Sequence, residues 1–165
     1  MDPEHPYLSL LETVTTGEPI QIKDIPGIEQ QIIQLSKSLG SGNPSEIISG
    51  MKSFLGAGPG LTPLGDDLLL GILLAMNRTR KQIYGAGDMI DIDHAVLSAA
   101  EEKTTTLSLS LLTCAIQGSA DERIIRVLDG LIAAREIPDI DLENLLDWGS
   151  SSGMAVLAGI VMALA

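Results

Sequence analysis

The sequence predicts an all-α fold, a single compact helical domain over residues 1–165 with two central apolar helices, each preceded by a Gly/Ser-rich loop. Three observations carry this expectation. Apolar residues make up 45 % of the chain but aromatics only 2 %, so the core is aliphatic and suited to helix packing. Apolar spacings of three and four recur from Ile28 onward, and no stretch sustains the alternation of a strand. Residues 68–76 and 154–165 are apolar almost all round, the mark of buried helices.

Taken in order, residues 6–16 carry an amphipathic pattern (Tyr7, Leu8, Leu10, Leu11, Val14) that Gly17 stops. Ile20, Ile22 and Ile25 alternate as in a brief strand, with no obvious partner. Ile28, Ile32, Leu35 and Leu39 define a helix over 28–39, ended by Gly40, Ser41, Gly42 and Asn43. A short helix over 45–54 turns Ile47, Ile48, Met51 and Phe54 inward. The long central helix is expected over 63–84, with Thr62 as its N-cap and Pro63 at its first position. Residues 85–87 would end it. Further helices are expected near 93–102, 104–117, 120–134, 138–147 and 153–165. Residues 1–50 then form an N-terminal helical segment, and 55–165 the main core.

Composition excludes several functions. A net charge of -12 is wrong for phosphate-backbone binding, and the lack of aromatics removes base stacking. Nucleic acid is therefore not an expected partner. Cys114, the single cysteine, cannot form an internal disulfide, which favours a cytoplasmic location. The acidic start lacks the features of a signal peptide, and both apolar runs fall short of the roughly 20 residues that span a bilayer. No membrane partner is expected.

The chain is organised around residues 56–67. Gly56, Gly58 and Gly60 precede the expected cap and Gly65 follows it, more glycine than helix initiation requires. Asp66 and Asp67 lie in the first turn, at the positive end of the helix dipole. The same pattern returns later. Thr62, Gly65 and Gly71 correspond in register to Ser150, Gly153 and Gly159, inside similar aliphatic runs. Gly71 and Gly159 each cost roughly 1 kcal/mol of helix propensity relative to alanine, which fits a close helix crossing. Two capped starts aimed at one spot would make an anion-friendly pocket. The simpler alternative is that glycine and serine only cap two buried helices.

Other candidates carry less. Adjacent helical residues point about 100° apart, so Asp66 and Asp67 cannot both face the loop. A Mg²⁺ site there would need further ligands, and dipole compensation explains the pair equally well. No metal and no cofactor are expected. His5 and His94 read as surface residues, and Cys114, beside Leu111, Leu112, Ala115 and Ile116, as a buried small hydrophobe. Glu101, Glu102, Asp121 and Glu122 read as solvated faces or first-turn charges, and the 104–110 cluster as a helix cap.

The run Gly58-Pro59-Gly60-Leu61-Thr62-Pro63-Leu64-Gly65-Asp66-Asp67 resembles the signature of a bacterial family that includes AllH, a component of the oxamate carbamoyltransferase system of anaerobic allantoin breakdown. Thr105-Thr106-Leu107-Ser108 and Ser151-Ser152-Gly153 are similar to two later blocks of that family. The likeness covers about 55–165. Near Gly149 and after Gly153 the family pattern leads one to expect a histidine and an acidic residue, where Trp148, Ser150 and Met154 stand. The resemblance implies a subunit or relative of an oxamate-type carbamoyltransferase. It also implies a small anionic substrate, carbamoyl phosphate or a carboxylate, at Gly58, Gly60, Thr62, Gly65, Asp66, Asp67, Thr105, Ser108, Ser151, Ser152 and Gly153. Other subunits of such a complex, or further copies of the chain, are the implied partners. A non-catalytic binding or assembly module with the same fold is the alternative.

Overall fold

The computed structural model describes residues 28–79 and 86–165. Every regular element among them is helical: α1 Ile28–Ser41, α2 Pro44–Phe54, α3 Leu64–Thr79, α4 Ala86–Lys103, α5 Thr106–Ile116, α6 Glu122–Ile132, α7 Asp139–Leu146 and α8 Ser152–Leu164. The patterns at 6–16 and 20–25, and the continuation of the central helix over 80–85, lie outside the described residues. Ala86 and Gly87, expected to terminate a helix, instead open α4, which starts earlier than the apolar spacing alone suggests.

Local chemistry sets several of the starts. Asn43 caps α2, its Oδ1 accepting the Ser45 amide at 3.0 Å, with Pro44 at the first position. Asp121 caps α6 by accepting the Arg123 amide at 3.0 Å, and also pairs with the Arg123 guanidinium. Gly42 has φ 67, a left-handed conformation that ends α1 without the strain of a Cβ.

The core is built on α3 and α8. Every residue from Gly65 to Asn77 is buried, as are Gly153 to Ile160. A Cβ on Gly71 would run into the Val156 carbonyl oxygen and stand 3.0 Å from the Ile160 nitrogen. A Cβ on Gly159 would run into the Leu68 carbonyl oxygen and stand 3.0 Å from the Ile72 nitrogen. The contact is thus reciprocal, backbone against backbone, and it accounts for two glycines that are costly inside helices. Around this crossing, α5 and α2 pack on α3, while α1, α6 and α7 pack on α8, and α4 closes against α2 and α5. At the far end of α3, Arg78 donates to Asp129 Oδ1 (2.6 Å) and the Gly118 carbonyl (3.1 Å). Asn77 donates to Asp93 Oδ1 at 3.0 Å, tying in α4.

One core assignment is corrected. Cys114 is exposed. The buried stripe of α5 is Ser108, Leu112 and Ala115, and Cys114 lies off it. His94 is exposed, as its acidic setting suggested.

Candidate functional site

Gly56, Gly58 and Gly60 have φ of 72, 112 and 103. All three lie in the left-handed region that other residues enter only with strain, so the glycines are first of all what the path of this loop requires. The loop is then fixed by hydrogen bonds. The Ala57 amide donates to the Phe54 carbonyl at 3.0 Å, and the Gly65 amide to the Ala57 carbonyl at 2.9 Å. The Thr105 hydroxyl donates to the Leu61 carbonyl at 2.6 Å.

The start of α3 differs from expectation by one residue. The Asp66 and Asp67 amides both donate to the Pro63 carbonyl (2.9 and 3.1 Å), which places Pro63, not Thr62, at the capping position. Proline has no hydroxyl to offer the first turn, and the Thr62 side chain is turned to the Asp67 carboxyl instead.

The two aspartates divide as their 100° separation requires. Asp66 is a tie: its Oδ1 accepts the Gly56 amide at 2.8 Å, and its Oδ2 accepts the Thr104 hydroxyl. It joins the loop to the α4–α5 junction. Asp67 is 2 % exposed, and the hydroxyls of Ser152 and Thr62 lie against its carboxyl. Its Oδ2 has no hydrogen-bond partner. Burial pushes its pKa from 3.8 up to about 6 and the Asp66 charge adds to the rise, while the two hydroxyls oppose it without overcoming it.

A contact between the first turn of α3 and the first residue of α8 means that the two helices enter their glycine crossing from the same side. The start of α5 joins them. Thr105 caps α5, accepting the Ser108 amide at 3.1 Å, and it is the same Thr105 that holds Leu61. Three helix starts are therefore gathered around Leu61 and Thr62. Among the described residues no acceptor meets the amides of Leu64, Thr106, Leu107, Ser152 or Met154. A second buried orphan belongs to this region, the Ser108 Oγ, 2 % exposed and without a partner.

The remaining expected residues have visible positions. A Cβ on Gly65 would collide with the Phe54 carbonyl oxygen, and one on Gly153 with the Leu145 carbonyl oxygen. Each glycine lets a core helix start directly against the end of the helix before it. The Gly153 amide donates to the Trp148 carbonyl at 3.0 Å. Ser151 precedes α8 without making a side-chain cap bond. Gly58 and Gly60 lie in the loop wall, Gly60 with open space where a Cβ would stand. Lys103, which precedes Thr104, donates to the Lys52 carbonyl at 3.0 Å.

Sequence reasoning missed two features here. Thr104 is the hydroxyl partner of Asp66, and the threonine cluster was its only signal. Leu61 and Leu107 form an apolar rim, 74 % and 48 % exposed, and nothing in a helical pattern distinguishes such residues from core leucines.

The family described as Oxamate carbamoyltransferase subunit AllH matches residues 54–164, from the last residue of α2 through the loop and all three helix starts to the last residue of α8. No curated protein and no solved structure matches the chain. With about two thirds of its length matched, including every residue of the region just described, the chain belongs to the AllH family of oxamate carbamoyltransferase subunits.

Proposed function

We propose that this chain is the subunit of an oxamate-type carbamoyltransferase that holds a small anion, carbamoyl phosphate or a carboxylate, where the starts of α3, α5 and α8 converge. The observation that carries the reading is that convergence: three positive helix ends and several unpaired amides around one spot. Such donors bind anions without a formal positive charge, which a chain of net charge -12 needs. In carbamoyl transfer they would also stabilise negative charge developing on the carbamoyl oxygen. Thr62, Ser152 and the loop glycines Gly58 and Gly60 supply the wall, and Gly65, Asp66, Thr105 and Gly153 hold it in shape. Ser151 sits at its edge. A cytoplasmic location belongs to the same proposal.

The second reading is an assembly or binding module that does no chemistry by itself. Leu61 and Leu107 favour it, because exposed leucines at the rim of a site suit cover by another subunit or another copy of the chain. The test is carbamoyl transfer from carbamoyl phosphate to oxamate, assayed with the purified chain alone and together with the products of the adjacent genes. Turnover in either preparation that is lost on Ser152→Ala, with the fold and the association of those proteins intact, supports the first reading. No turnover in either, with association of those proteins intact, leaves the second.

A further inference from the structure

Where the starts of α3 and α8 meet, the groups on offer are hydrogen-bond donors, with one exception. The first-turn amides of Leu64, Ser152 and Met154 meet no acceptor among the described residues, and the hydroxyls of Thr62 and Ser152 can also donate. The exception is the Asp67 carboxyl against which those hydroxyls lie. It is 2 % exposed, and its Oδ2 has no hydrogen-bond partner. Ionised, that oxygen is a buried negative acceptor beside amides that call for an anion. Protonated, it is an O–H donor like its neighbours. A bound anion would be repelled by one form of Asp67 and hydrogen-bonded by the other. Resting on the anion-site reading above, we propose that the site is proton-coupled: an anion enters it together with a proton, which lodges on Asp67 Oδ2 and is donated to the ligand.

The surroundings leave this task to Asp67. α3 packs against α8, α5 and α2. α8 contains no charged side chain, and α5 brings only Cys114, which is exposed. α2 carries Glu46, exposed beside Asn43, and Lys52. From α4, Asp93 meets Asn77 at the other end of α3, and the Lys103 ammonium donates to the Lys52 carbonyl. The charge that bears on Asp67 is that of Asp66, and it too favours the protonated form. Burial and that charge let Asp67 keep its proton up to about pH 6, and the negative charge of a ligand carries the limit higher. Well below that limit the free protein already holds the proton, and binding draws in none. Above the limit of the complex neither state holds it. Between the two, binding takes up a proton and affinity falls as pH rises. A rise of about one pH unit in the limit makes binding about fivefold weaker at pH 8 than at pH 6, with about half a proton entering per anion at pH 6.5.

Sulfate is the probe, because it does not itself titrate in this range. Calorimetry on the full chain, alone and reconstituted with the products of the adjacent genes, is run at pH 6.5 in two buffers of different ionisation enthalpy. The difference in heat gives the protons taken up. Wild-type protein should take up about half a proton or more per sulfate and bind about fivefold or more weakly at pH 8 than at pH 6. Asp67→Asn, with an N–H donor in the same volume, should bind sulfate with no proton uptake and with an affinity level from pH 6 to 8. If that variant does not fold, carbon NMR of the wild-type carboxyl groups carries the test: the buried aspartate that titrates near pH 6 should titrate higher with sulfate present. Sulfate binding without proton uptake, or uptake undiminished in Asp67→Asn, overturns the coupling and leaves the anion site standing. Binding of sulfate in neither preparation overturns the anion site as well.

Discussion

Asp67→Asn should make this protein more stable at neutral pH, although it removes a charge next to hydroxyl groups. In the folded chain Asp67 holds its proton up to about pH 6, whereas an unfolded aspartate releases it near 3.8. The folded state thus binds the proton more tightly, and stability is lost as pH rises through that window. The difference corresponds to about 3 kcal/mol, fully present only above pH 6. Asparagine resembles the protonated form and carries no such cost. Wild-type protein and the variant should therefore unfold together near pH 4, diverge between pH 4 and 6, and remain separated above that. For a domain of this size the separation amounts to roughly 6–10 °C in Tm. Thermal unfolding followed by circular dichroism at half-unit pH steps reads it directly, and subtracting one curve from the other cancels the remaining carboxylates. Parallel curves across the whole range, or a variant less stable at pH 7.5, would refute the account of a buried, under-solvated carboxyl.

Other outcomes follow from the same coordinates. Gly71→Ala or Gly159→Ala should each destabilise by about 2–3 kcal/mol despite alanine's better helix propensity, because the new methyl meets a carbonyl across the crossing; chemical denaturation measures this. The double variant should cost less than the sum, since both methyls push on one interface. Asp66→Ala should cost about 1–3 kcal/mol and speed hydrogen exchange at the Gly56 amide, which loses its acceptor. Leu61→Asp should leave stability within about 0.5 kcal/mol, its side chain being mostly in water. The same change should weaken association with a partner subunit in analytical ultracentrifugation, if that rim is where one docks.

Much of the architecture was legible in the residues. The two aliphatic runs announced α3 and α8 because only a helix surrounded on every side can be apolar all round. The shared register of Gly71 and Gly159 announced that these helices touch, since glycine inside a helix needs a packing reason. What could not be read was partnership across distance. Asp66 and Asp67 look alike in sequence, yet one is tied to Thr104, 38 residues away, and the other meets Ser152. Thr62 reads as a cap by local rules, but the capping position falls to Pro63 because the hydroxyl is drawn to a carboxyl of its own helix. Cys114 sits among apolar neighbours in sequence and faces solvent, because α5 buries only one stripe.

The glycine crossing also behaves as a fulcrum. Gly71 is four residues from Asp67, and Gly159 is seven from Ser152, lever arms of about 6 and 10 Å at the rise of a helix. A swing of about 10° at the pivot would shift the far end of the longer arm by nearly 2 Å, enough to part Ser152 from Asp67. Variation at these two glycines can therefore retune what the region binds while leaving every group in it chemically unchanged.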